Sequence, residues 1–441
     1  MTASDTIYAL SSGALPSGVA VVRVSGPAAR RGLDMLAGLV PERRRAVVRT
    51  LRDGAEMVDT AIVMFFPGPD SVTGEDVVEY QVHGGRAVVA ALLDALSKVP
   101  GCRPAEAGEF TRRSFLNGRI DLSGVEGLAD LVRAETEKQR RQAARQAAGG
   151  FRTVADGWRS RLIRARALVE TGIDFVEEEI PASVWAEAET EVSDLASEIG
   201  RHLDDGHRGE RVRDGLTVVL LGPPNVGKSS LLNALARRDV AIVTPEPGTT
   251  RDLIEVALDL GGYAVTLVDT AGLREAASLA EQEGTRRAEA RAATADLVLW
   301  LEDVSWPGPS LALVERGPAL LRVGTKADLI DSGRERFVRG GPELLVSAKT
   351  GAGLAVLVER LTAFAGAQVG PGEAPLITRQ RHRLALNDCK GCLDRAIAPG
   401  LDAELRAEEL RRATDALGRI SGRIDAEGLL DVIFAEFCIG K

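Results

Sequence analysis

The sequence lacks several features that would each place it in a special class of protein. Only 4 of its 441 residues are cysteine, which argues against a disulfide framework and fits a reducing cytoplasm. No apolar run reaches the length of a membrane-spanning helix. Residues 1–8 have neither the basic-then-apolar layout of a signal peptide nor the arginine content of a transit peptide. We therefore expect a cytoplasmic protein without a membrane segment.

An excess of positive charge is also lacking, because the formal net charge is −9. A global attraction to RNA is not indicated, so any contact with nucleic acid has to be local or supplied by a partner. Hydrophobic residues make up 45% and charged residues 27% of the chain, as in ordinary globular proteins. The chain is too long for one core, and about two to four domains are expected.

What the chain does contain is a phosphate-binding pattern, Gly222-Pro-Pro-Asn-Val-Gly-Lys-Ser229. An apolar run at 216–221 precedes it and is typical of a buried parallel strand, while residues 230–236 favour a helix. Strand, glycine-rich turn and helix are the context of a P-loop, in which backbone N–H groups and the helix N-terminus face phosphates. Lys228 is expected to reach the outer phosphates, and the Ser229 hydroxyl to hold Mg²⁺.

Later motifs specify which nucleotide is bound. Asp269-Thr-Ala-Gly272 ends a predicted strand at 264–269, and it can contribute a carboxylate to the Mg²⁺ shell and an N–H to the γ-phosphate. Thr325-Lys-Ala-Asp328 follows a strand predicted at 320–324. The Asp328 carboxylate can accept both the N1–H and the 2-amino group of guanine, a donor pair that adenine lacks. Thr325 occupies the position at which Asn is usual in this motif. We expect the protein to remain selective for GTP, because Asp328 is the residue that decides which base binds.

A further strand and a second base-contacting loop are predicted at 344–349. Taken together and in this order, the motifs resemble those of translation-factor-like GTPases. Thr250, in the switch loop at 241–252, is placed to complete the Mg²⁺ shell. The predicted nucleotide contacts are Asn225, Val226, Gly227, Lys228, Ser229, Ser230, Thr250, Asp269, Thr270, Ala271, Gly272, Thr325, Lys326, Asp328, Ser347, Ala348 and Lys349.

The position that often holds a water-orienting glutamine, directly after Asp269-Thr-Ala-Gly272, is occupied by Leu273. An apolar side chain cannot orient water, so another group has to do so. Glu281 can position the attacking water through a bridging water.

The flanking composition predicts the domain organisation. Residues 1–118 alternate strand and helix signals, which predicts a small α+β domain; the strands are expected at 18–24, 45–52, 60–66 and 76–83, and the helices at 28–39 and 86–98. Residues 119–210 and 371–441 have helical composition and no separate cores, so we expect one helical domain with a GTPase domain, 211–370, inserted in it. The predicted fold class is multidomain α/β: an N-terminal α+β domain, a helical domain and an inserted Ras-like P-loop GTPase domain.

Several polar groups outside the GTPase motifs allow two interpretations. Arg23, Glu79 and His83 lie in or at the ends of predicted strands, and they either form a site or are ordinary strand-edge residues. A basic cluster is either an RNA-binding patch or a solvated helix face; it comprises Lys138, Arg140, Arg141, Arg145 and Arg152. Cys389 and Cys392 have metal-like spacing without a second pair, which favours packing over a zinc site.

Motifs spread along the chain resemble those of one family. They are Arg23-Val-Ser-Gly26, Ser71-Val-Thr-Gly-Glu-Asp76, His83-Gly-Gly85, residues 108–118, Gly248-Thr-Thr-Arg-Asp252, Asp269-Thr-Ala-Gly-Leu-Arg274 and Phe437-Cys-Ile-Gly-Lys441. Over essentially its full length the chain resembles the MnmE (TrmE) family of tRNA-modification GTPases. The resemblance implies a homodimer whose N-terminal domains bind 5,10-methylene- or 5-formyl-tetrahydrofolate. It also implies a flavoprotein partner of the MnmG type, which carries FAD and completes a heterotetramer, and tRNA as substrate.

The resemblance also implies roles for individual residues, and all of them rest on it alone. Folate contacts correspond to Arg23, Glu79, Arg119 and Lys441. A K⁺ site corresponds to Asn225, Thr244, Glu246 and Thr249. Cys438 matches an essential cysteine, and Glu281 the residue for hydrolysis. The implied reaction adds an aminomethyl or carboxymethylaminomethyl group to carbon 5 of the wobble uridine, with GTP hydrolysis driving conformational change.

Two other functions compete with this one. A ribosome-assembly GTPase can have a similar P-loop, but it predicts a basic RNA-binding module, and it leaves the N-terminal motifs and the cysteine tail unexplained. A scaffold that binds GTP without turning it over would show no multiple-turnover phosphate release.

Overall fold

A computed structural model of the chain describes residues 5–174, 182–242, 255–269, 291, 293–305, 319–330, 342–370, 375–424, 430, 433, 434, 437 and 440. Its contacts divide into two compact units. The first comprises Met1–Ala129, Gln146–Leu195 and Gly391–Lys441, and the second comprises Asp130–Arg145 and Ala196–Lys390. No helix in the described part of the chain is both long and apolar enough to cross a membrane.

The first unit contains a six-stranded sheet in the order β3-β4-β5-β2-β1-β6. Its strands are β1 Thr6–Leu10, β2 Ser17–Ser25, β3 Val47–Asp53, β4 Glu56–Phe66, β5 Val77–Gly84 and β6 Cys102–Pro104. All neighbours are antiparallel except β1 and β6. Helices α1 (Ala29–Ala37) and α2 (Arg86–Ser97) cover one face. The predicted strands and helices of this region are confirmed, whereas the short β1 and β6 were not predicted.

Alternation along the strands decides which side chains reach the core of this sheet. On β5, Val78, Tyr80 and Val82 are buried against the helices, together with Leu33 of α1 and Leu92 of α2. The residues between them, including Glu79, therefore point to the opposite face.

The first unit also holds part of the helical regions of the chain. Helix α3 (Glu109–Leu116) and helix α4 (Leu122–Arg133) follow the sheet. Helix α6 (Gly150–Asp174) packs along α12 (Ala403–Ser421), with Trp158 buried. The helical structure predicted from the composition of this region is confirmed.

The second unit contains a six-stranded sheet in the order β12-β11-β10-β7-β9-β8. Its strands are β7 Leu216–Leu221, β8 Glu255–Leu260, β9 Tyr263–Asp269, β10 Leu297–Asp303, β11 Ala319–Thr325 and β12 Leu344–Leu345. Every pairing is parallel except that of β8 with β9. The parallel arrangement explains the almost unbroken apolar run of β7, since both faces of such a sheet are covered.

The remaining helices belong wholly or partly to the second unit. They are α5 Glu137–Ala147, α7 Ala182–Leu203, α8 Arg208–Asp214, α9 Lys228–Ala236, α10 Leu354–Val369 and α11 Gln380–Ala396. Residues of α9 and α10, such as Leu232 and Leu361, pack into the core of the sheet. The chain is thus an N-terminal α+β domain, a helical domain and a P-loop GTPase domain.

The chain enters and leaves the GTPase domain through adjoining segments. The entering helix α8 approaches so closely that a Cβ on Gly209 would overlap the carbonyl of Ile377. Arg383 donates to Asp205 at 2.7 Å and to Glu210 at 2.9 Å. Neighbouring entry and exit points are what an inserted domain requires, although the domain boundaries at 211 and 370 stay a prediction.

Candidate functional site

The phosphate-binding loop lies between β7 and α9 and depends on unusual backbone conformations. Gly222 has φ 151° and Gly227 has φ 102°, and a Cβ on Gly222 would lie 2.6 Å from the carbonyl oxygen of Leu301. Asn225 also has a positive φ, 60°. Lys228 is buried, and its ammonium donates to the carbonyls of Gly222 at 2.9 Å and Pro223 at 3.0 Å. The loop therefore holds one positive charge over the N-terminus of α9, where phosphates bind.

A hydroxyl and a carboxylate meet beside this loop. Ser229 Oγ donates to Asp269 Oδ2 at 2.6 Å, and Asp269, the last residue of β9, is 1% exposed. The sequence predicted both residues as parts of the Mg²⁺ site, and the structure places their oxygens together. Hydroxyl and carboxylate oxygens are hard ligands of the kind that Mg²⁺ uses, so this pair fits the metal.

Two of the residues predicted to contact the base, Asp328 and Ser347, meet at the ends of β11 and β12. Ser347 Oγ donates to Asp328 Oδ1 at 2.6 Å, and this bond lowers the pKa of Asp328 below its ordinary value. Asp328 is exposed, while Ser347 is buried. The hydroxyl thus orients an ionised carboxylate toward solvent, which leaves acceptor positions for the two N–H groups of guanine.

Lys326, within the base motif, pairs with the last residue of β10. It has φ 59°, and its ammonium is 2.6 Å from Asp303 Oδ2. Partial burial by itself raises the pKa of Asp303, yet the bonds from Lys326 and Ser305 hold it below its ordinary value. Asp303 therefore stays ionised and fixes the stem of Lys326 along one side of the site.

Thr325 connects the base motif to the P-loop. Thr325 is 4% exposed, and its hydroxyl donates to the Val226 carbonyl at 2.6 Å. The same hydroxyl lies 3.2 Å from the Glu302 carbonyl, a second acceptor. The Thr325 hydroxyl therefore contacts backbone carbonyls of the P-loop and of β10.

In the first unit, Arg23 and Glu79 face each other on adjacent strands. Arg23 donates to Glu79 Oε1 at 3.0 Å from Nε and at 2.8 Å from Nη2, and its guanidinium lies 5.8 Å from the centre of the Phe110 ring. Both belong to the face of the sheet that α1 and α2 leave uncovered. Arg119 has its Nη1 3.9 Å from Asp70 Oδ1.

His83 lies on the same strand as Glu79 and pairs with a different acid. Its Nδ1 is 2.8 Å from Asp59 Oδ1, and its backbone N–H donates to Asp59 Oδ2 at 2.8 Å. The side chain of His83 is 73% exposed. The geometry leaves both interpretations of His83 open.

A buried charge network beside this sheet was not predicted. Arg113 of α3 has a side chain only 5% exposed, and it pairs with Asp5 at 3.0 Å, Glu75 at 3.1 Å and Glu109 at 2.9 Å. Glu75 also accepts a bond from Ser25 Oγ at 2.7 Å. The i, i+4 spacing of the opposite charges Glu109 and Arg113 on a predicted helix would have been the signal.

Three members of the basic cluster contact neighbouring side chains. Arg140 and Arg141 each lie 2.7 Å from Glu137, and Lys138 lies 4.1 Å above the ring of Tyr263. Guanidinium groups that already pair with a carboxylate attract phosphate less strongly. The interpretation of this cluster as a solvated helix face is favoured.

The two closely spaced cysteines belong to helix α11. Both are buried, and Cys392 Sγ accepts a hydrogen bond from Arg395 Nη2 at 3.1 Å. Burial raises the pKa of the Cys392 thiol above its ordinary value, which favours the packing interpretation.

Several predicted site residues lie outside the described residues. They are Thr244, Glu246, Thr249, Thr250, Thr270, Ala271, Gly272, Glu281, Cys438 and Lys441. Of the P-loop and base-contact predictions, Asn225, Ser229, Ser230 and Lys349 are exposed, whereas Val226 is buried and Gly227 and Ala348 are partly buried.

Comparison with known proteins accounts for the whole chain. A family model described as "GTP-binding protein TrmE N-terminus" matches residues 6–119, and one described as "MnmE helical domain" matches residues 122–438. A "tRNA modification GTPase MnmE" of Azorhizobium caulinodans is 52% identical over 442 residues, which cover 99% of each chain. A protein of the same name from Parvibaculum lavamentivorans is 53% identical over 445 residues, covering 99% of this chain and 100% of that one.

Among solved structures, the G domain of the T. maritima FeoB iron transporter is similar to part of the chain. It is 30% identical, covers 34% of this chain and 98% of that chain, and superposes with a TM-score of 0.26.

Proposed function

The chain belongs to the MnmE family of tRNA modification GTPases, and we propose that it binds and hydrolyses GTP in the modification of tRNA. The observation that carries this proposal is the set of hydrogen bonds made by predicted nucleotide contacts from four separate segments. Lys228 supplies a charge for the phosphates, the Ser229–Asp269 pair supplies oxygens 2.6 Å apart, and Asp328 with Ser347 supplies a guanine reader.

Each of these residues has a distinct task in our proposal. Lys228 binds the outer phosphates, and the Ser229–Asp269 oxygens hold Mg²⁺, which offsets charge on the transferred phosphoryl group when it is bound. Asp328 selects guanine. Glu281 positions the attacking water, in place of the glutamine whose position Leu273 occupies.

We further propose that K⁺ activates hydrolysis. The proposed ligands are Asn225, Thr244, Thr249 and the carbonyl of Glu246. The support is the family resemblance together with Asn225 itself, which is exposed and has a φ of 60°. Thr250 would complete the Mg²⁺ shell.

The proposed modification chemistry uses a reduced folate. A one-carbon unit from 5,10-methylene- or 5-formyl-tetrahydrofolate would be built into an aminomethyl or carboxymethylaminomethyl group on carbon 5 of the wobble uridine. An MnmG-like flavoprotein partner carrying FAD would supply the redox chemistry. Arg23 and Glu79 fit a folate because an arginine and a carboxylate, both partly exposed on the same sheet face, offer donors and acceptors. Arg119 and Lys441 are the further proposed contacts.

The proposed assembly is a homodimer through the N-terminal domains, joined by the flavoprotein into a heterotetramer. A cytoplasmic location goes with this proposal, because tRNA is the substrate. Cys438 is proposed to act in the modification and not in GTP hydrolysis.

The first test is calorimetric binding of 5-formyltetrahydrofolate to the purified chain. We expect saturable binding in the wild type, loss of binding in Arg23→Ala, and unchanged binding in Arg45→Ala, a control that removes an exposed arginine paired with Glu42 in the same domain. Absence of binding in the wild type would contradict the folate part of the proposal and favour a ribosome-assembly GTPase.

The second test separates hydrolysis from modification. Cys438→Ser is expected to retain multiple-turnover release of phosphate from GTP, while a strain that carries only this variant lacks the modified wobble uridine. Normal modification in that strain would refute the role of Cys438. Absence of multiple-turnover phosphate release in the wild type would instead support a non-hydrolysing scaffold.

A further inference from the structure

Strand β10 ends in two consecutive carboxylates, Glu302 and Asp303. Successive side chains of a strand point to opposite faces of the sheet, so these two carboxylates meet different partners. Glu302 accepts hydrogen bonds from Arg322 of the neighbouring strand β11, at 2.7 Å from Nε and at 2.9 Å from Nη2. This bidentate pair joins the two strands, and it leaves Asp303 to bind another group.

Both oxygens of the Asp303 carboxylate accept hydrogen bonds. Oδ1 accepts from the backbone N–H of Ser305 at 3.0 Å and from the Ser305 hydroxyl at 2.6 Å. Oδ2 accepts from the ammonium of Lys326 at 2.6 Å. Because each oxygen has its own donor, the carboxylate is fixed in one orientation, and the Lys326 ammonium is fixed with it.

The backbone places Lys326 beside this carboxylate. Asp303 and Thr325 are partners in the register of β10 with β11, and the N–H of Val304 donates to the Thr325 carbonyl at 3.2 Å. Lys326 follows directly and has φ 59°, a conformation that is uncommon for residues other than glycine. The ion pair therefore holds the side chain of a residue whose backbone is constrained, two residues before the proposed guanine reader, Asp328.

We propose that Asp303 is a positioning residue for guanine nucleotides, which acts through Lys326. A lysine has a long flexible stem, and ordering such a side chain when a ligand binds lowers the affinity. Asp303 holds the Lys326 ammonium before a nucleotide arrives, so this cost does not fall on binding. The inference deepens the proposed function and rests on it, because Lys326 is one of the proposed nucleotide contacts.

Replacing Asp303 by Asn keeps the shape of the side chain and removes the charge that holds the ammonium. We expect Asp303→Asn to weaken the binding of GTP and of GDP by the same factor, about three- to tenfold. The preference for GTP over ITP should stay as in the wild type, since Asp328 reads the 2-amino group. Equilibrium titration of the full chain with fluorescent nucleotides measures these affinities.

A double-mutant cycle distinguishes positioning through Lys326 from a general effect on the fold. Lys326→Met keeps an unbranched stem and removes the ammonium, so Asp303→Asn has no ion pair to break in this background. We expect the effect of Asp303→Asn on the affinity for GTP to fall below about twofold there. The same loss in both backgrounds, or wild-type affinity in Asp303→Asn alone, would overturn the proposal.

Glu302→Gln is the matched control, because it makes the same change of charge one residue earlier in β10. Loss of the pair with Arg322 should lower the unfolding temperature and leave the affinity for GTP within about twofold of the wild-type value. A loss of affinity as large as that in Asp303→Asn would mean that any charge removed at this strand end has the same effect. That result would also overturn the role of Asp303.

A second variant tests the same geometry if Asp303→Asn does not fold. Ser305 is exposed, and Ser305→Ala removes the hydroxyl that fixes Oδ1 of Asp303. It should weaken GTP binding about twofold in the wild-type background and leave it unchanged in the Lys326→Met background. Unchanged affinity in the wild-type background would contradict the proposal.

This inference and the proposed function fail in different ways. Failure of the wild type to bind GTP would contradict the proposed GTPase function. An additive cycle between Asp303→Asn and Lys326→Met, in a chain that binds GTP, would contradict the role of Asp303 alone.

Discussion

Replacing Thr325 by Val removes one hydroxyl and nearly preserves the volume of the side chain. That hydroxyl donates to the Val226 carbonyl at 2.6 Å from a residue that is 4% exposed. Loss of the donor at a buried acceptor costs about 1–3 kcal/mol. If the whole cost falls on the nucleotide-bound state, affinity drops by about 5- to 150-fold. The hydrogen bond also exists without nucleotide, so part of the free-energy cost lowers the stability of the fold. We therefore expect a loss of affinity in the lower half of this range.

The direction of the effect on selectivity is the sharper part of the prediction. Because the Thr325 hydroxyl contacts the P-loop, Thr325→Val should weaken the binding of GTP and of GDP by the same factor. The preference for GTP over ITP should stay as in the wild type. ITP lacks the 2-amino group that Asp328 reads, which makes it the matched probe of base recognition. Equilibrium titration with fluorescent nucleotides measures all three affinities.

Two control variants separate the hydroxyl from other properties of the side chain. Thr325→Ser keeps the donor and should bind GTP like the wild type, and thermal unfolding shows how much of the cost falls on folding. The reasoning is refuted if Thr325→Val keeps wild-type affinity and stability, or if it lowers the GTP-over-ITP preference while leaving GDP binding unchanged.

Three further predictions concern other parts of the chain. Asn225→Ala should abolish the stimulation of hydrolysis by K⁺ and leave nucleotide binding in place; equal wild-type rates in K⁺ and Na⁺ would contradict the K⁺ site. Asp328→Asn should lose GTP affinity by about tenfold or more and gain affinity for XTP, whose C2 carbonyl accepts a bond from the new amide; unchanged competition between the two nucleotides would count against Asp328 as the base reader. The bond from Arg103 lowers the pKa of Asp5, and for Glu109 burial raises the pKa but bonds from Arg103 and Arg113 lower it below its ordinary value. Carboxylates whose pKa is lowered in the folded state stabilise that state above about pH 4, and this contribution is lost as the pH falls further. The calorimetric unfolding temperature should therefore decrease as the pH is lowered from about 4. The decrease should be less steep in Arg113→Gln.

The nucleotide site could be predicted because each part of it is a local motif. A strand, a turn that needs positive φ and a helix N-terminus follow one another from 216 to 236. Glycines and a lysine at these positions of such a turn are specific for phosphate binding. The same holds for the strand ends at Asp269 and Asp328, since the carboxyl ends of parallel strands meet at one edge of a sheet. Order and spacing of the motifs were therefore sufficient to identify the nucleotide as GTP.

Short strands and buried charges were not predictable in this way. β1 and β6 have 5 and 3 residues, too few for a periodic pattern, and they exist because their backbone groups pair with each other and with β2. Arg113 looked like one more polar residue of a helix, because its partners Asp5 and Glu75 are 108 and 38 residues away in the sequence.

By itself the sequence determined the fold class, the family and the assignment as a GTPase, because those depend on motifs whose residues are neighbours in the chain. Only the tertiary structure decided that Thr325 donates to the P-loop, that Arg23 pairs with Glu79, and that Gly440 is held by Ser11, 429 residues away. Such contacts depend on the distances between folded segments, which composition and spacing do not specify.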